Sequence, residues 1–386
     1  MRVYSKTVNT YNVLNKVNGL GSLHSPHVGW DPVKDAKSYA ISLIDHEANG
    51  VVGMSFIHWI AFNIHNDHIC RNSSISKKNK IVQFENSLSK KVRKTILDDK
   101  YLMDNANCYY GPCPPDQDHT YELRVYALDF EDVNEIIDTS VPRFWNDFED
   151  VIANHVIDEG VLTFSSEQAL ETNDGKLYSE ESQTHGMFYF LNDDEEVDKL
   201  KVSIPALEMH ETEKIKYLPK KYYVDVETLK TDVKTNSPLI KIKNIKKVKE
   251  YAIFVFNSST AQEWGLVSCE FACLGIKPQQ GDWTIIKEND LNNSDDDRTA
   301  RHLIPNSFKS NSVMPEDIKK HFVNRQDKWN VFKNKKSSVK NKFHWMVVYA
   351  LDQNITERFK VKTVADAYRI IKNKVIAEKI IKFKLK

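Results

Sequence analysis

The feature that most constrains the fold is that the chain repeats itself. Ser25-Pro26 and Ser237-Pro238 open two stretches that align without a gap at a shift of 212 residues, placing Tyr39-Ala40-Ile41 on Tyr251-Ala252-Ile253 and Ile64 on Ile276. Val125-Tyr126-Ala127-Leu128-Asp129 matches Val348-Tyr349-Ala350-Leu351-Asp352 at a shift of 223, and Asn154-His155-Val156-Ile157 falls on Asn373-Lys374-Val375-Ile376. Three blocks in one order imply two copies of one domain, and the long period excludes a solenoid, whose units run to about 20–50 residues. The expected division is a first domain at 1–165, a connector at 166–197 and a second domain at 198–386.

Each copy reads as mostly β with a little helix. Residues 39–44, 58–64 and 123–128 are short apolar, β-branched and aromatic runs bounded by turn formers, as are 251–256, 271–276 and 345–351. Near the end of each copy the apolar period changes from two to about 3.6. Phe144, Phe148, Val151 and Ile152 form one stripe, and Val364, Ala367, Tyr368, Ile371 and Val375 another. Thr363 with Asp366 has the spacing of a capping box, and residues 381–385 alternate as a closing strand. Residues 187–190 are apolar enough for a docked strand, whereas 65–106 and 277–341 read as long polar insertions.

Net charge is zero overall but unevenly spread. Residues 1–165 carry 16 basic and 22 acidic side chains, the connector carries one against nine, and 198–386 carry 37 against 23, a net +14. The two ends therefore meet different electrostatic partners, or each other. No apolar run approaches the roughly 18–20 residues of a membrane-crossing helix. The first residues lack an export signal and five cysteines suit neither a disulfide framework nor CxxC zinc sites, so a reduced, cytoplasmic protein is expected.

Chemistry concentrates in copy one. The string Tyr109-Tyr110-Gly111-Pro112-Cys113-Pro114-Pro115-Asp116-Gln117-Asp118-His119-Thr120-Tyr121 stiffens its backbone with a glycine and three prolines before entering a strand. Asp45 ends one expected strand and His58 opens another, from which Trp59 projects to the opposite face. An aspartate, two imidazoles and a rigid loop form a polar basin suited to an anion, held by ring N–H donors and backbone amides. Zinc ligation by Asp45, His58 and His119 lacks supporting spacing, and serine-hydrolase chemistry lacks a GxSxG elbow.

These residues resemble the phosphatidylethanolamine-binding protein family, also called Raf-kinase-inhibitor-like proteins, and its bacterial branch in particular. The resemblance rests on Ser25-Pro26-His27-Val28-Gly29-Trp30, on Asp45, on His58-Trp59-Ile60-Ala61-Phe62-Asn63-Ile64, and on the stretch from Gly111 to Tyr121 followed by Tyr126-Ala127-Leu128-Asp129. It implies two tandem antiparallel β-sandwich domains, each with a C-terminal helix, that act in binding and regulation without catalysis, metal or cofactor. Asp45, His58, Tyr109, Gly111, Pro112, Pro114, His119 and Tyr121 would line an exposed pocket for a phosphate-like or carboxylate anion. The sequence departs from the family pattern at Asp45-His46-Glu47-Ala48-Asn49, at Gln117 and at Thr120.

In copy two Asn257 stands for Asp45, Glu270 for His58, Lys342 for His119, and residues 334–338 for the loop, so its pocket is expected to be lost. Two other readings stay open: an interaction module docking on nucleic acid or an acidic partner through Lys243, Lys246, Lys247, Lys249 and Lys335-Lys336, and an enzyme using His58 and His119 as acid and base. A protein partner is also expected. The relatives resembled are typically homodimers, so the fused copies are expected to form an intramolecular pseudo-dimer in a monomeric chain, with the acidic connector docked on the basic copy.

Overall fold

The apolar runs become strands in the computed structural model, which describes residues 1–91, 103–172, 176–179, 200–210, 215–225, 235–292, 302–304, 307, 329, 332–333, 343–355 and 361–386. The chain divides into two units, one made of residues 1–51, 55–188 and 260–267 and the other of 52–54, 189–259 and 268–386.

In the first unit the strands are β1 (Val3–Tyr4), β2 (Val28–Trp30), β3 (Ser38–Asp45), β4 (Ser55–Ile64), β5 (His68–Ile69), β6 (Val82–Gln83), β7 (His119–Leu128) and β8 (Val156–Ser166). An antiparallel sheet runs β4-β3-β7-β8 with β6 beside β4, and a smaller one runs β1-β2-β5. Strand β3 is buried along its whole length, as a central strand with both faces covered must be. Helix α1 (Trp145–Ile152) buries its expected stripe. The ring of Phe148 is inaccessible and packs 5.5 Å from Phe62, 5.4 Å from Tyr126 and 5.1 Å from Trp145. Truncating such a ring to alanine costs about 3–5 kcal/mol.

The second unit contains β9 (Val202–Ser203), β10 (Ile240–Lys243), β11 (Glu250–Asn257), β12 (Leu266–Ile276), β13 (Trp283–Ile286), β14 (His302–Ile304), β15 (Phe343–Leu351), α2 (Val364–Ile371) and β16 (Val375–Leu385). Its larger sheet runs β12-β11-β15-β16 with β14 beside β12, and its smaller one runs β9-β10-β13. That is the strand order of the first unit. The registers agree as well: Tyr39 faces Ile64 and Ala127, and Tyr251 faces Ile276 and Ala350. Irregularities fall at the same places, between Tyr39 and Ile41 and between Leu43 and Ile44 in one unit, and between Tyr251 and Ile253 and between Val255 and Phe256 in the other. The capping box of α2 forms as expected, with the Thr363 hydroxyl accepting from the Asp366 N–H at 3.1 Å and the Asp366 carboxylate from the Thr363 N–H at 3.1 Å.

Two expectations need adjusting. The insertions after β4 and β12 are not simply polar loops, because they supply β5 and β6 to one unit and β13 and β14 to the other. Strand β4 starts at Ser55, so His58 lies inside it rather than at its head. Residues 187–190 and 334–338, together with Lys342 and Lys335-Lys336, lie outside the described residues.

Candidate functional site

In an antiparallel sheet, residues directly opposite one another share a face, and so do residues two apart along a strand. Asp45 at the end of β3 faces Phe56 on β4 and Tyr121 on β7. His119 stands two residues before Tyr121 and so shares its face, whereas His58 is the extra residue where the β4 register slips between the Leu43–Trp59 and Ile44–Ile57 pairs, and its ring contacts set it beside Phe56 and Tyr121. The ring of His58 lies 4.6 Å from that of Phe56 and 5.2 Å edge-on to Tyr121, and His119 lies 6.5 Å from Tyr121.

His119 is held from both sides. Its Nδ1 donates to Asp45 Oδ2 at 2.8 Å and its Nε2 donates to Asp116 Oδ1 at 2.8 Å. Burial pulls its pKa down, but the Asp45 charge and the hydrogen bonds to Asp116 and Asp45 outweigh that and raise it to about 10. Burial likewise pushes Asp45 up, and the charge and hydrogen bond of His119 reverse this, so the carboxylate sits below its ordinary value. The other Asp45 oxygen accepts from the Ala48 N–H at 3.0 Å. Glu47, on the same connection, accepts from the Thr120 N–H at 3.0 Å.

His58 has the opposite character. Burial lowers its pKa to about 4, so the ring is neutral at physiological pH. Its Nδ1 lies 2.8 Å from the Tyr110 carbonyl, which can only accept, so the proton resides on Nδ1 and Nε2 carries a lone pair. Tyr110 closes the arrangement by stacking on His58 at 5.7 Å with an interplanar angle of 11° and by donating its N–H to the His58 carbonyl at 3.0 Å.

The loop is stiff for a visible reason. A Cβ on Gly111 would lie 2.8 Å from the Asn18 carbonyl oxygen and 3.0 Å from both the Gly19 carbonyl oxygen and the Ser22 nitrogen, closer than side-chain carbons come. Gly111 donates its N–H to the Ser22 carbonyl at 2.7 Å. Pro112, Pro114 and Pro115 carry no N–H, so Cys113 holds the remaining amide of the stretch. The expectation of several anion-binding amides here is corrected accordingly.

Two further expectations change. Tyr109 does not line the site: it is wholly buried, packs edge-on to Trp59 at 5.6 Å on the other face of β4, and donates its hydroxyl to the Asn18 carbonyl at 2.5 Å. Its neighbour Tyr110 takes the place foreseen for it. Nor do the histidines open onto an exposed pocket, since His58 is 4% and His119 1% exposed. The Tyr121 hydroxyl is likewise buried beside Asp45, without a hydrogen bond of normal geometry. Reading the sequence for chemistry missed Asp116, Glu47 and Tyr110. The signal for Asp116 was an acid three residues before the histidine on a prolyl loop.

In the second unit the same row holds Asn257, opposite Ser268 and His344. Asn257 Nδ2 donates to Glu270 Oε1 at 2.8 Å, and His344 Nε2 lies 3.2 Å from Glu270 Oε2. The polar basin there is replaced by a buried network rather than by an apolar plug. Among the described residues no group of three or more histidine, cysteine, aspartate or glutamate side chains is arranged to hold a metal ion.

Comparison with known proteins adds a family to this geometry. Residues 4–167 match the family model described as phosphatidylethanolamine-binding protein. The uncharacterized protein YxkA of Bacillus subtilis is 39% identical over 98 residues, which are 25% of this chain and 55% of that protein, so the chain spans about half the length of this relative. A UPF0098 protein of Methanothermobacter thermautotrophicus is 28% identical over 139 residues, 36% of this chain and 79% of that protein. Among solved structures, Escherichia coli YbcL, described as a new member of the mammalian PEBP family, aligns at TM-score 0.34 with 20% identity over 43% of this chain and 97% of its own. The putative phosphatidylethanolamine-binding protein homolog CT736 of Chlamydia trachomatis aligns at TM-score 0.33 with 19% identity over the same shares, 43% and 97%.

Proposed function

Because the chain belongs to the phosphatidylethanolamine-binding protein family through residues 4–167, we propose that it is a non-catalytic binding protein whose first unit takes a phosphate-like or carboxylate anion at His58, His119, Tyr121 and the 111–115 loop. The observation that carries this reading is His119, kept as an imidazolium by Asp45 and Asp116 at one end of the sheet. Beside it, neutral His58 offers an acceptor for a ligand that brings its own proton, such as a phosphate monoanion.

The same two rings argue for binding over turnover. A general acid and base work best with pKa values near the operating pH. His58 at about 4 is too weak a base, and His119 at about 10 too weak an acid, for that exchange at neutrality. Among the described residues no helix is long and apolar enough to cross a membrane, and none of the five cysteines is in a disulfide. We further propose a cytoplasmic, monomeric chain with two related domains, the second of which serves packing or contact with a protein partner.

Isothermal titration of the full chain with inorganic phosphate and with acetate tests the site. Replacing His119 with alanine should abolish measurable binding, with His119→Gln as the variant to use if the alanine form does not fold. Unchanged affinity in a folded His119 variant would refute the assignment.

A further inference from the structure

The contact between Asp116 and His119 is not needed to build the sheet, yet it occupies the group on which anion binding would depend. His119 uses Nδ1 on buried Asp45, which leaves Nε2 as the ring's other donor, and Nε2 is 2.8 Å from Asp116 Oδ1. The exposures of the partners differ sharply: the side chains of Asp45 and His119 are 4% and 1% exposed, whereas that of Asp116 is 39% exposed. A solvent-facing carboxylate thus covers a buried imidazolium. Asp116 follows Pro114 and Pro115 and precedes β7, so its backbone is anchored on either side. The Pro114 carbonyl accepts from the Ala169 N–H at 2.8 Å, and the Pro115 carbonyl from Gln168 Nε2 at 2.9 Å.

Resting on the anion-binding reading above, we propose that Asp116 is a built-in competitor that sets the affinity of the site: its carboxylate must leave His119 Nε2 before an external anion can take its place. The physical basis is charge balance. Asp45, His119 and Asp116 together carry one positive and two negative charges, so an anion added to the intact triad would meet net repulsion. An anion exchanged for Asp116 takes over its hydrogen bond and leaves the local charge unchanged, with Asp45 bonded to the ring and Glu47 acting on it through its charge. The side chain of Asp116 can swing out into water by rotating its own torsions while the anchored loop backbone stays put. A phosphoryl group can accept from His119 with one oxygen while a protonated second oxygen donates to the Nε2 lone pair of His58, so the pair of rings favours phosphate monoanions over simple carboxylates while Asp116 raises the threshold for both.

Calorimetric titration of the full chain as wild type, Asp116→Ala, Asp116→Asn and His119→Gln, with inorganic phosphate and acetate as probes, tests this. Both Asp116 variants should bind phosphate about tenfold or more tightly than wild type, as expected for removing a charge-assisted competitor, and acetate should gain by a similar factor, because displacing Asp116 costs the same whichever anion replaces it. Binding of acetate by Asp116→Ala where wild type shows none would support the proposal equally. Equal affinities in wild type and both Asp116 variants, with binding lost in His119→Gln, would overturn the competitor role and leave the pocket reading intact. Absence of binding in every form, or binding indifferent to His119→Gln, would overturn both.

Discussion

The two histidines sit on one face of one sheet, yet they are pushed to opposite sides of their ordinary value of 6.5, His58 to about 4 and His119 to about 10. The difference comes from partners. Burial acts on both, but only His119 has carboxylates on both ring nitrogens, whereas His58 has a carbonyl. In histidine-labelled NMR spectra, neither ring should change protonation state between about pH 5 and about pH 9. A site histidine titrating near its ordinary value would contradict the geometry. The signs for stability follow by linkage. The stabilising contribution of His119 is full below 6.5 and is lost as pH rises through about 10. His58 must be charged in the unfolded chain before the folded one, so its contribution is lost as pH falls from 6.5 through about 4. Asp45, depressed by His119, adds a loss at still lower pH. Urea midpoints measured against pH should therefore peak near neutrality, and the alkaline decline should flatten in His119→Gln. At this scale the sequence was a good guide to Asp45 and His119, because period-two alternation fixes their shared face, and to His58 through the motif around it, since alternation breaks where the β4 register slips. It failed at Tyr109 and Tyr110, two adjacent tyrosines in the loop before β7 that turn opposite ways, where only the packing of that loop on β4 decides which one meets His58.

Among the elements, the loop before β7 has the least freedom. Gly111→Ala puts a methyl group against the backbone of residues 18–22, an overpacking that typically costs about 1–3 kcal/mol. Relief of that clash would move the Tyr110 carbonyl off His58, so the variant should lose phosphate affinity together with thermal stability. A melt and a titration on the same sample check both, and retained affinity would show the loop to be dispensable. The long strands and helices α1 and α2 were legible because their apolar periods run for eight residues or more, whereas the five-residue helix Thr260–Trp264 is too short to show one. The strands β1, β5, β6 and β9 are two residues each, too short to establish a period, and tertiary pairing alone defines them. Asp116 was missed for a related reason, since a contact between a loop carboxylate and a strand-end imidazole has no repeating pattern and only its three-residue spacing from His119 signals it.

The whole molecule carries one strand order twice, with different buried polar groups in the matching row. Because Glu270 binds Asn257 and His344 within the second unit, that row has no imidazole at the His58 position. Phosphate should accordingly bind at one site per chain, and a calorimetric stoichiometry of two would show that the second unit binds as well. The shared register has another consequence, for how the chain finds its fold. Two sheets with the same strand order and the same irregularities can in principle exchange strands during refolding, a characteristic failure of chains with repeated domains. The polar rows oppose that error. Were β12 to take the place of β4 beside β3, Glu270 would be buried near Asp45 without the His344 imidazole it has at home, a second carboxylate beside the one that His119 already balances. The side chains that separate the two units in chemistry thus also serve as a pairing code, by which each strand recognises its own sheet.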